Sequence, residues 1–327
     1  MFKIRKYKNG DENQILKLDR LVEEHPWNRR NIQNWYWKFK KSPNSIKPFV
    51  YVCELKNKII ATFSTIPINY YLNGKKTKFS NSIAMIVHPH FQDKGIMKFL
   101  GDQLLKDTGK KTDLVFGYPN KRSYLLHKAF FQYQDVFNQK LFELKNISKK
   151  NMHVTKKNIQ LREIKKFSNK FDQIAKKNRK KFFYQTVRDS KYLNWRFIFR
   201  PDKKYYNFEI IDISNKKNVI GYIVLKLYKY KTDLYGHIID YYIDTNNRHF
   251  YEESIVNALN FLKKKKSTIF SLWCQGDDKL LKTIKNLGFK KVSERPFICK
   301  IFNRKKINTN KIKNKWYFTM GDTLEVY

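Results

Sequence analysis

A pattern recurs in this chain at the scale of a domain. Trp37-Lys38-Phe39 followed by Pro43 returns as Trp195-Arg196-Phe197 followed by Pro201, and Phe131 returns as Phe289; 195 − 37 and 289 − 131 both give 158. Between these markers the strand-like runs 205–213 and 219–228 repeat the hairpin at 49–68, and 237–243 repeats 82–87. A repeat this long means two similar modules rather than a solenoid. The chain has 327 residues, enough for two ordinary domains. With 41% hydrophobic and 16% aromatic residues it can fill two cores and is not disordered.

Charge narrows the partners less than its size suggests. The formal net charge is +41. Such a balance can serve nucleic acid, an anionic surface or acidic ligands. Here the lysines spread over nearly the whole chain among many Asn and Ile, which reads as compositional bias rather than a patch. The expectation is no nucleic-acid partner. The longest run, Lys263 to Lys266, ends an expected helix, where cations suit the dipole. The cysteines Cys53, Cys274 and Cys299 are far apart, as expected in a reducing compartment and unlike a zinc or disulfide framework. The first residues lack the apolar run of a signal peptide, and no run approaches about 18 apolar residues. The expected location is therefore cytoplasmic, with no metal and no membrane span.

Taken in order, the first module reads as a mixed α/β unit. A short strand at 2–6 precedes a helix begun at Asp11, and a second helix covers 29–40. Strands at 49–55 and 59–68 flank Lys56-Asn57-Lys58, and a further hairpin turns at Asn73-Gly74. A strand at 114–117, a helix from Asn120 and a strand at 136–144 complete the order β-α-α-β-β-β-α-β-α-β.

The stretch 87–100, VHPHFQDKGIMKFL, is where a ligand is expected. A strand ends near Pro89, a short loop holds Gln92-Asp93-Lys94-Gly95, and a helix follows with Ile96, Phe99, Leu100 and Leu104 at helical spacing. The first N–H groups of a helix have no internal partner and the dipole there favours anions. Gly95 lets backbone approach a phosphate.

Gln92-Asp93-Lys94-Gly95-Ile96-Met97 resembles the pyrophosphate loop [RQ]-x-x-G-x-[GA] of the GNAT acetyltransferase superfamily, departing from it at Met97. Gly117-Tyr118-Pro119-Asn120-Lys121-Arg122-Ser123-Tyr124 resembles the G-[FY]-P-N-x-x-S-Y segment of GNAT proteins with two tandem modules. Those proteins also carry W-K-[YF]-x3-P, matched at Trp37 to Pro43, and V-H-P-x-[YF]-[RQ]-x-x-G-[IM], matched at Val87 to Ile96. The tail from Trp316 to Asp322 resembles their W-x-[LF]-T-x-G-D element.

The resemblance implies a fold of class α/β (α+β): two tandem GNAT-like modules, each a mixed, mostly antiparallel twisted sheet flanked by helices. Residues 1–145 are then the CoA-binding module and 146–160 the linker. Residues 161–327 form a second module without a phosphate loop, with a docking tail at 316–327. Where the first module has Gln92-Asp93-Lys94-Gly95, the second has Asn246-Asn247-Arg248-His249-Phe250, with no glycine, and Phe250 would crowd a pyrophosphate. The resemblance further implies an acyl-CoA-dependent N-acyltransferase. Acetyl-CoA is its expected co-substrate and a primary amine of a small molecule its acceptor, an amino sugar of surface-polysaccharide synthesis being the first candidate.

The implied cofactor-binding residues are Ile86 and Val87 along the pantetheine arm and Gln92, Asp93, Lys94, Gly95, Ile96 and Met97 around the pyrophosphate. Asn120 would bond the arm or cap its own helix. The family's usual Tyr acid falls at Leu126, so that acid is missing; Tyr124 is the nearest substitute, against a packing role. Asp322 or Glu325 in the tail could serve the amine, against a tail that only packs. His127 and His88 are weaker candidates, and no Asp or Glu occurs in 80–87. Two alternatives stay open: a Fem-type aminoacyltransferase using aminoacyl-tRNA, and a non-catalytic CoA- or nucleic-acid-binding protein. Acyl chain and oligomeric state have no signal in the sequence.

Overall fold

The computed structural model describes residues 1–22, 31–145, 158–215, 217–245, 247–308 and 315–324. The expected linker lies largely outside these, as do His25, Pro26 and Glu325. Backbone contacts divide the chain into two units, Met1–Tyr70 with Lys76–Phe137 and Pro296–Lys313, and Tyr71–Lys75 with Asn138–Arg295 and Asn314–Tyr327.

The first unit follows the expected order: β1 (Lys3–Lys6), α1 (Glu12–Val22), α2 (Ile32–Phe39), β2 (Phe49–Leu55), β3 (Lys58–Leu72), β4 (Lys75–Val87), α3 (Ile96–Gly109), β5 (Leu114–Gly117), α4 (Lys121–Phe131) and the start of β6 (Gln134–Lys145). β1, β2 and β3 pair antiparallel in succession. The turns are the ones the sequence announces. Lys56 and Asn57 both take positive φ, as do Asn73 and Gly74, which is what a two-residue hairpin needs to match strand twist. Ile96, Met97, Leu100, Leu104 and Leu105 line one face of α3 and pack with Phe63, Val115, Phe131 and Tyr133. Each such side chain contributes about 1.5–3 kcal/mol on full burial, enough to pin where α3 begins. Gly101 lies where any Cβ would overlap the Phe131 ring, so α3 and α4 meet closely there.

The second unit contains β7 (Ile159–Glu163), α5 (Lys170–Lys177), β8 (Tyr184–Thr186), α6 (Ser190–Leu193), β9 (Tyr206–Asp212), β10 (Asn218–Tyr230), β11 (Asp233–Ile243), α7 (Arg248–Lys264), β12 (Ile269–Trp273), α8 (Asp278–Asn286) and the start of β13 (Lys290–Ile301). Trp195, the repeat of Trp37, sits in a π-turn (Asn194–Ile198) instead of a full helix. The pairs β7–β9, β9–β10 and β10–β11 are antiparallel, and β11–β12 is parallel. This is a mixed, mostly antiparallel sheet flanked by helices, as expected.

Each unit takes one strand from the other half of the sequence. In the first, β5 pairs with the end of β13, Leu114 to Gly117 facing Ile301 to Ile298. In the second, β12 pairs with the end of β6, Ile269 to Trp273 facing Lys145 to Leu141.

The described part of the tail docks within the second unit. Trp316 stacks on Tyr184 at 5.0 Å and Tyr317 on Phe182 at 4.2 Å. The three cysteines are buried and unpaired. No helix among the described residues is long and apolar enough to cross a membrane.

Candidate active site

In the first unit, two parallel strands part company. β4 and β5 pair only through Phe79↔Leu114, Ser80↔Val115 and Asn81↔Phe116. β5 then ends at Gly117 and the chain turns through Pro119 into α4, while β4 continues to Val87 without it. Just past the fork Ala84 takes φ +52°, a left-handed conformation that a non-glycine residue rarely holds. This bulge re-aims β4. Met85 and Val87 pack towards the α3 side, whereas Ile86 packs with Ile15, Leu18, Val50 and Val52 beneath α1. The side chains of Ile86 and Val87 therefore lie on opposite faces, and only the strand backbone offers itself to a single ligand arm.

At the far end of β4 the loop reaches α3. Gly95 is its N-cap, at φ +70° and with no side chain to satisfy the first amides. A Cβ at Gly95 would meet only Phe99 Cε2, at 4.0 Å, so the space before the helix start is open. Asp93 is also left-handed, at φ +63°. Its exposed carboxylate lies 3.9 Å from Arg122 at the start of α4. Lys94 Nζ sits 5.3 Å from the Phe91 ring centre. Gln92 Nε2 donates back to the Val87 carbonyl at 3.3 Å, so this side chain braces the loop. Ile96 and Met97 turn their side chains into the core, leaving their amides at the helix start. That explains the departure at Met97: its side chain replaces the small family residue by packing inwards, not by narrowing the loop.

The second unit's counterpart is closed. The N-cap of α7 is Asn247, whose side chain accepts from the His249 amide at 3.0 Å.

Of the expected side chains on α4, Asn120 accepts from the Ser123 amide at 2.9 Å and so caps the helix. Tyr124 donates to Asp135 at 2.9 Å, and this bond to a carboxylate raises its pKa. Asp322 lies elsewhere, in the core of the second unit. It is 1% exposed, 2.7 Å from Arg188, and accepts from the Thr186 hydroxyl at 2.6 Å and the Thr319 amide at 2.8 Å. Arg188 also reaches Asp240 at 3.2 Å, and Tyr222 donates to Asp240 at 2.9 Å. Asp322 is thus a buried ion-pair partner that clamps the tail.

The other face of the β4 bulge holds polar residues that periodicity did not single out. A narrow cleft of ≈ 20 Å³, room for about one water, lies between α1, α2 and the sheet, with Ala84 and Ile86 on its wall. Asp19 of α1 and Asn34, Trp35 and Lys38 of α2 line it, each 4% exposed or less. The Trp35 indole N–H has no hydrogen-bond partner. Asp19 and Lys38 both have partners within the protein, which offsets the cost of burying their charges. A polar residue on the inner face of an otherwise apolar helix was the available signal at Asp19.

Residues 3–130 match the family model of the acetyltransferase (GNAT) domain. They are a GNAT acetyltransferase domain. Among curated proteins nothing matches the chain. Solved structures share its fold at low identity. A GCN5-related N-acetyltransferase from Anabaena variabilis is 14% identical with a TM-score of 0.72, over 94% of this chain and 74% of that one. A tandem GNAT protein from the clavulanic acid biosynthesis pathway is 10% identical with a TM-score of 0.64, over 92% and 99%. A glucosamine N-acetyltransferase region of a fungal multi-domain β-N-acetylglucosaminidase is 14% identical with a TM-score of 0.62, over 92% of this chain and 38% of that one. The GNAT domain thus carries the fork, the bulge, the loop and the cleft described above.

Proposed function

We propose that the chain is an acyl-CoA-dependent N-acyltransferase that transfers an acetyl group to a primary amine of a small polar molecule. The observation that carries this is the open start of α3 at Gly95, directly after the strand that splits from β5. The amides of residues 95–97 would hold the pyrophosphate, aided by Lys94 and Arg122. The pantetheine arm would lie along the backbone of 82–87, which β5 leaves unpaired. The acyl carbonyl then falls near the bulge at Ala84, where a backbone N–H can polarise it. The amine attacks the thioester carbon, loses a proton, and CoA leaves as the thiol.

The glucosamine N-acetyltransferase region that shares this fold supports an amino sugar as the acceptor.

Calorimetry with acetyl-CoA tests the reading: one site per chain is expected, and no heat at high micromolar concentration would sink it. Phe250→Gly should leave the stoichiometry at one, because Asn247 still caps α7.

A further inference from the structure

We propose that Ser82 and His127 form a proton relay between the attacking amine and the departing sulfur, a role that rests on the acyltransferase reading above. Ser82 Oγ stands 3.3 Å from His127 Nε2, and His127 Nδ1 stands 2.6 Å from the Ser123 carbonyl oxygen. A carbonyl can only accept, so Nδ1 carries the hydrogen and Nε2 is the acceptor. The Ser82 hydroxyl therefore donates to His127, and of its two lone pairs one faces the Tyr133 hydroxyl and one is left for a ligand.

The location gives the pair its meaning. Ser82 is the first residue of β4 beyond its pairing with β5. It is half-buried, and the residue beside it on β5 is Gly117, where an added Cβ would lie 3.6 Å from Ser82 Cβ. The hydroxyl thus stands at the apex of the fork that would receive the thioester. His127 is walled in by Phe63 at 5.9 Å, Phe131 at 6.0 Å and Tyr133 at 4.6 Å between ring centres. Burial pushes its pKa down to about 4 against the opposing pull of the Ser123 carbonyl, so the imidazole is neutral at physiological pH. Tyr133, the titratable group against it, is held protonated by burial.

The step balances without a further reactant. As the amine nitrogen bonds to the acyl carbon, its proton passes to Ser82 Oγ while the Ser82 proton passes to His127 Nε2. When the carbon–sulfur bond breaks, the sulfur takes a proton from Ser82, and the imidazolium returns one to Ser82. One N–H is lost and one S–H gained. An imidazolium in an apolar pocket is a strong acid and does not keep the proton. Ser82 is the catalytic residue; His127 is a positioning residue that acts through it. Together they supply what the family's tyrosine, replaced here by Leu126, would have supplied.

The test uses CoA itself, so it needs no knowledge of the acceptor. The thiolate absorbs in the ultraviolet, and a pH titration of bound CoA gives its thiol pKa. A hydroxyl at the sulfur stabilises the thiolate, so Ser82→Ala should raise that pKa by about one unit, a tenfold change in ionisation, and Ser82→Thr should restore it. In the unmodified protein, nitrogen-15 NMR should find His127 protonated at Nδ1 and flat from about pH 5 to 8, a result that does not depend on any variant folding. An unchanged thiol pKa in Ser82→Ala with CoA still bound, or an unprotonated Nδ1, overturns the relay. If CoA does not bind the unmodified protein, the acyltransferase reading falls first and the relay with it.

Discussion

Gly95→Glu abolishes CoA binding: calorimetry should show affinity weaker by on the order of 100-fold or more. Two effects add. Gly95 holds φ +70°, a conformation that costs a residue with a Cβ about 1–2 kcal/mol. The new side chain also enters the space before the α3 amides and brings a negative charge to where the phosphates would stand. The fold should survive, because a Cβ at this position meets only Phe99 Cε2 at 4.0 Å. Gly95→Ala separates the two effects: it keeps the strain but neither the bulk nor the charge, so affinity should fall only several-fold. Equal Kd values for Gly95→Glu and the parent would remove the loop from the cofactor site.

Asp322→Ala should cost the second unit about 3–5 kcal/mol of stability, read as a fall in Tm and in denaturant midpoint. The carboxylate is 1% exposed and both its oxygens are bonded, to Thr186 on one side and to Arg188 and the Thr319 amide on the other. Its loss leaves the Arg188 charge buried with Asp240 as its remaining ionic partner, and it unties the Thr319–Asp322 capping box that shapes the tail. CoA affinity should be unchanged, since the Gly95 loop belongs to the first unit. Full stability with lost turnover would instead place Asp322 at the chemistry.

These two residues show what could be read in the sequence. The left-handed N-cap at Gly95 was legible because a lone glycine just before an apolar helical run has a backbone reason to be there. The turns at Asn57 and Asn73-Gly74 were legible for the same local reason. Asp322 was visible as part of a motif, but whether it faced a ligand or an arginine depended on Arg188, a residue 134 positions away. Asn120 offered two uses, and its bond to Ser123 satisfies the nearer one. Met97 showed only as a departure from the motif because sequence gives no side-chain direction; α3 turns it into the core. Asp19 and Lys38 were hidden inside aromatic and aliphatic helices, since periodicity records apolar faces and passes over a polar residue on them. Ser82 and His127 lie 45 positions apart and meet only because α4 folds back over β4.

The exchanged strands bear on how the molecule is made. β5 gains its second neighbour only when residues 298–301 arrive, 298 − 117 = 181 residues after β5 itself is made. Until then a nascent chain presents Leu114 to Gly117 as a bare sheet edge, the kind of surface on which other chains nucleate. Closing a loop of that span is slow because its entropy must be spent before the pairing returns anything. A gene cut between the two repeats would therefore yield not two small enzymes but two incomplete sheets, each missing a strand the other half encodes, and the duplication is locked into a single reading frame.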